Sequence, residues 1–137
     1  MESKTLAGLA ITRGTILHGS FDDIKHEKFF IIIGENDNQL VGFFFINSEI
    51  HQTIKHKKEQ FDMQMYIKRA DYSFLDHDSF IGADKIRTIN KDKIISDIAA
   101  KSTQIKGVLT DEDLNILLDA IRSSKLFSKI EKDTFFR

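Results

Sequence analysis

The sequence predicts a mostly β, α+β protein, a small antiparallel barrel with helices packed outside it. Two observations carry this. Residues 10 to 90 hold the aromatic and β-branched clusters and five of the seven glycines, whereas the chain from about residue 91 is rich in Ile, Leu, Lys and Asp at helical spacing. A well-capped amphipathic helix then stands near the end, and several short strands followed by helices favour this architecture.

The elements follow in order. Ile11 to His18 reads as a first strand with Gly14 inside or beside it. Phe29 to Ile33 is a continuous apolar run stopped by Gly34, and its length and β-branched content favour a buried strand. Glu35-Asn36-Asp37-Asn38 is a turn cluster, and Leu40 to Ile46 returns as the second arm of a hairpin. Gly42 within that arm suggests a bulge or a close backbone approach. Residues 49 to 60 are polar and basic, suiting a long loop or short helix. Phe61 to Ile67 alternates as a half-buried strand. Ser79 to Ala83 is another strand, which Asp84 to Ile89 extends. Thr110 is a good N-cap, Asp111, Glu112 and Asp113 fill the positive first turn, and Asp113 is placed to close a capping box. Leu114, Leu117, Leu118 and Ile121 then make one apolar stripe.

The 137 residues suit one domain, with the barrel over about 11–90 and a helical part over about 91–137. Lys plus Arg number 20 and Asp plus Glu 21, a net charge of −1 that excludes a globally basic coat for nucleic acid but permits a basic face. Cysteine is absent, which removes disulfides, thiolate metal sites and cysteine nucleophiles. The opening residues lack a secretory signal pattern, and apolar runs such as Phe43 to Ile46 are far too short to span a bilayer, so a cytoplasmic protein without membrane contact is expected.

Three pieces in order resemble one family. The first is Arg13-Gly14-Thr15-Ile16, then a loop, then Lys28 running into Phe29 to Gly34. The second is a strand ending in Ile46-Asn47-Ser48. The third runs from Asp78-Ser79-Phe80-Ile81 through Asp84-Lys85-Ile86-Arg87-Thr88-Ile89-Asn90-Lys91 to Ile105-Lys106-Gly107-Val108-Leu109 and the capped helix. Together, over about residues 11 to 124, they resemble the MazF/PemK-type toxins of bacterial toxin–antitoxin systems. The resemblance implies an SH3-like barrel with a C-terminal helix, a homodimer, and a metal-independent endoribonuclease held inactive by a cognate antitoxin peptide. Neither a metal nor another cofactor is implied. Lys28-Phe29 stands where the family typically has Arg-Pro, and lysine keeps the charge without the bidentate fork. Ser48 matches the family's hydroxyl residue. Gly82 replaces an arginine of one branch, while Asp84 matches its acid.

Metal-free RNA cleavage needs a base for the 2′-hydroxyl, a cation or donor set for the transition-state phosphate, and an acid for the 5′-oxygen. The expected catalytic set is Lys28 as phosphate stabiliser, Ser48 as phosphate-oxygen donor, His26 as proton-transfer group and Asp84 as supporting acid, with His51 as runner-up acid. Histidine as a residue type suits proton transfer near neutral pH. Asp76-His77-Asp78-Ser79 resembles a metal site or triad only on paper, because neighbours on an extended segment point to opposite faces. Two stretches each carry three more cations than acids, residues 50–70 and 84–106. Lys55, Lys57, Lys58, Lys68, Arg69 and Arg87 are therefore the expected contacts to single-stranded RNA, with Phe61, Tyr66 or Tyr72 available to stack bases. Phe43-Phe44-Phe45 is expected in the core and at a dimer seam. The alternative expectation is the same barrel without catalysis, serving as a protein- or RNA-binding module.

Overall fold

The structure is a computed structural model and describes residues 11–137. The opening stretch read for a leader lies, through residue 10, outside the described residues. Seven strands form one antiparallel sheet: β1 (Thr15–Gly19), β2 (Lys28–Glu35), β3 (Leu40–Asn47), β4 (Gln64–Ile67), β5 (Ser79–Gly82), β6 (Arg87–Asn90) and β7 (Thr103–Val108). Among the described residues five helices interleave: α1 (Gln52–Lys55), α2 (Lys58–Phe61), α3 (Lys91–Ala99), α4 (Asp111–Ser123) and α5 (Lys129–Phe135). The strand order is β4-β5-β3-β2-β1-β7, and β6 joins by pairing with β3. The sheet is open, not the closed barrel expected, because β4 and β7 end the order and no ladder joins them.

Strand β3 is the spine. One edge pairs with β2 along its length, from Phe29↔Ile46 to Glu35↔Val41. Its other edge is divided, with Leu40 to Phe43 on β6 and Ile46 to Asn47 on β5. That division explains one difference from the sequence reading. Residues 84 to 89 do not extend β5; a turn after Gly82 carries the chain to a second position on β3.

Both faces of the central strands are covered, which is why β2 and β3 read as continuous apolar runs. Ile31, Ile33, Phe44 and Ile46 face a core closed by Leu117 and Ile121 of α4, by Phe135 and by Phe136. Phe30, Ile32, Val41 and Phe43 face a second core closed by Ile11 and by Ile94 of α3. Consecutive Phe43, Phe44 and Phe45 thus divide between two cores, with period-2 geometry sending alternate rings to opposite sides.

Gly14 takes φ +94°, a left-handed turn, so β1 begins only at Thr15. Gly34 stands where the β2–β3 register shifts, and a Cβ there would lie 2.3 Å from the carbonyl oxygen of Phe135. Gly34→Ala is therefore expected to lower stability by about 1–3 kcal/mol as α5 is pushed off the sheet, read as a lower denaturant midpoint. An unchanged midpoint would show that the end of α5 is free to shift.

Helix α4 starts as its sequence dictates, with the Thr110 side chain accepting from Asp113 N. Asp113 does not close the box. Its carboxylate instead accepts from the buried Tyr72 hydroxyl, tying the β4–β5 loop to the helix. Strand β7 was not expected inside the helical part. It is an edge strand with Gln104, Ile105 and Lys106 all exposed, so no alternation marks it, and pairing with β1 makes it. Among the described residues no helix is long and apolar enough to cross a membrane.

Candidate functional site

Lys28 opens β2 one step beyond the Phe29↔Ile46 pair, which sets it opposite Asn47 at the end of β3. Its ammonium donates to Asn47 Oδ1 and lies 5.4 Å from the centre of the Phe45 ring. This half-buried seat removes water from the charge and pushes its pKa below the ordinary lysine range. Ser48 follows directly and is exposed.

Two hollows meet at this strand end. One, of about 300 Å³, is lined by Lys28, Asn47, Ser48, His51 and Gln64 among others. The other, of about 290 Å³, takes Lys28 and Ser48 with His18, His26, Asp76 and His77. The sheet's pairing brings these together: His18 lies opposite Phe29, and Ser79 begins the strand beside β3. Three of the four expected catalytic residues, Lys28, Ser48 and His26, therefore share one hollow.

Asp84 does not line either hollow. Its Oδ1 accepts from Gln64 Nε2 at 2.9 Å, and Gln64 lines the first, so Asp84 is linked to the cleft through that amide. His51 lines the same hollow, but its Nδ1 accepts from Thr53 N at 3.2 Å as the N-cap of α1. Sequence reasoning missed His18 and gave His77 no catalytic role. Both reach the hollow through pairing and loop placement far apart in the chain, and no local spacing signals that.

Lys55, Lys57 and Lys58 are exposed on and between α1 and α2, beside the first hollow, which Ile54 of α1 lines. Lys68 and Arg69 are exposed after β4. Arg87 is committed elsewhere. It bonds Asp23 at 2.7 Å and lies 4.8 Å from the Phe45 ring centre. Asp78 accepts from Tyr66 and from Arg69 N and does not brace Ser79, whose hydroxyl donates to the His77 carbonyl. Among the described residues no group of three or more His, Asp or Glu is placed to hold a metal ion.

No protein-family model matches the chain, and no curated protein matches its sequence.

Proposed function

We propose that the chain is a metal-independent endoribonuclease of the MazF/PemK toxin type, cutting single-stranded RNA to a 2′,3′-cyclic phosphate. The observation that supports this most is the shared hollow of Lys28, Ser48 and His26 at the end of β2 and β3. The fold underneath is read as an open variant of the SH3-like arrangement, with β3 as its shared strand. A homodimer, a cognate antitoxin peptide and a cytoplasmic site of action belong to the same proposal.

In this reading His26 takes the proton from the 2′-hydroxyl. The freed oxygen attacks phosphorus, the bond to the 5′-oxygen breaks as that oxygen takes a proton from water, and His26 releases its own proton to solvent. The Lys28 ammonium and the Ser48 hydroxyl meet the charge that builds on the non-bridging oxygens. Asn47 and Phe45 hold the ammonium in place beforehand, and Asp84 holds Gln64. Regulated expression in a bacterial host tests the physiological part. Growth arrest that Ser48→Ala relieves is expected, and growth unaffected by the wild-type chain would count against a toxin.

Burial of Lys28 also fixes a pH dependence. Its folded pKa is lowered, so folding disfavours the charged form, a cost present below the folded pKa and relieved as pH rises toward the unfolded value. For catalysis the sign is the reverse, since the needed cation is lost as pH rises through the lowered folded pKa. Cleavage should therefore fall on the alkaline side earlier than an ordinary lysine would dictate. Lys28→Arg should move that fall to higher pH at a reduced maximal rate, because guanidinium stays charged. Identical alkaline limbs for the two proteins would remove Lys28 from the mechanism.

A further inference from the structure

A row of side chains leads away from the cleft. Asn47 pairs with Phe80 across β3 and β5, and Phe80 pairs with Tyr66 across β5 and β4. Directly opposed residues project to one face, so these three side chains run in line from the Lys28 ammonium to the sheet edge.

The far end is built for contact. The Tyr66 and Phe80 rings lie 5.5 Å apart at 49°, and Tyr66 remains 49% exposed. The Tyr66 hydroxyl donates to Asp78 Oδ2 at 2.7 Å, and Asp78 Oδ1 accepts from Arg69 N at 2.8 Å. An exposed ring is thus held against its neighbour at one side and fixed at its tip, so little rotamer freedom remains to be lost on binding. Lys68 and Arg69, both exposed, follow it along the chain. The other two aromatics fit less well: Tyr72 is buried with its hydroxyl bound to Asp113, and Phe61 ends α2 outside this row.

We infer that Tyr66, backed by Phe80, is a base-stacking subsite for single-stranded RNA, an inference resting on the RNA reading of the cleft. Fixed aromatic faces beside cations are what single strands stack on without regard to base identity. Asn47, which holds the Lys28 ammonium, lies two strand spacings from Tyr66, roughly 10 Å. That is too far for the base of the nucleotide being cut, so the subsite receives the base of a neighbouring nucleotide. It sets where along a strand the scissile phosphate falls and takes no part in the bond change.

The test is anisotropy titration of a fluorescein-labelled single-stranded RNA oligomer with 2′-O-methyl riboses, which lack the attacking hydroxyl. Tyr66→Ala should weaken binding about tenfold or more, and Tyr66→Phe should stay within about threefold of wild type. Tyr66→Leu keeps apolar bulk on the edge strand and should also weaken binding, while circular dichroism melts confirm folding. On cleavable RNA the loss should enter KM and leave kcat unchanged. Wild-type affinity in a folded Tyr66→Ala or Tyr66→Leu variant overturns the subsite and leaves the cleavage reading standing. Tyr66-dependent binding with uncut RNA upholds the subsite and removes the nuclease. An oligomer that the wild type does not bind overturns the subsite, and cleavage of unmodified RNA then decides the nuclease separately.

Discussion

Lys28→Ala should lower the rate of RNA cleavage by about 10² to 10³, the range seen when one preorganised donor to a developing oxyanion is removed. The ammonium is held before substrate arrives, by Asn47 Oδ1 and above the Phe45 ring, so little reorganisation is needed as charge builds on the phosphate. The fold should survive the change. Lys28 is half-buried at the first position of β2, and the core begins with the residues after it. The variant leaves an exposed-side amide, Asn47, without its cation, and water can reach that position through the adjoining hollows. Single-turnover cleavage of a defined RNA, with a melt of the same sample, separates the catalytic from the structural effect. A folded variant with wild-type rate would remove Lys28 from the reaction.

Phe136→Ala should cost about 3–5 kcal/mol of stability, the range for losing a buried phenylalanine. Phe136 is 1% exposed although it is the penultimate residue of the sequence. Its ring stacks on Phe44 at 6.2 Å and meets Phe127 edge-on at 5.0 Å. Polar clamps hold the same segment. Arg122 Nε donates to the Phe136 carbonyl at 2.7 Å, and the Arg13 guanidinium donates to the carbonyls of Ile33, Phe135 and Arg137. Burial and the neighbouring Arg122 charge lower the Arg13 pKa. Chemical denaturation reads the loss. A midpoint near that of wild type would show that the last turn is decoration on a core already complete.

The hairpin of β2 and β3 was legible because its signal is local: two apolar runs, a glycine at the first one's end and four turn-forming residues between. Helix α4 was legible for the same reason, through Thr110 and a stripe at 3.6 spacing. What escaped depends on partners distant in sequence. β7 is a strand because β1 lies beside it, and its own residues are half of them polar and mostly exposed. Asp113 had the right position for a capping box, but a buried tyrosine hydroxyl 41 residues away took its carboxylate. In the cleft, Lys28 and Ser48 stand at strand ends readable from the hairpin, whereas His18 and His77 arrive by cross-strand pairing and by the β4–β5 loop. Asp84, expected as a supporting acid, stands one amide away from the hollow. Of the six expected RNA contacts, Arg87 is drawn to Asp23 and Phe45, a commitment that charge counting along the chain does not reveal.

The most direct test of the nuclease reading is incubation of the purified protein with a long single-stranded RNA in EDTA, followed by mapping of the ends. Discrete cuts that leave 2′,3′-cyclic phosphates, and that are lost in Lys28→Ala and Ser48→Ala, are the predicted result. Intact RNA recovered from a folded protein, or cuts that persist in both variants, would contradict it.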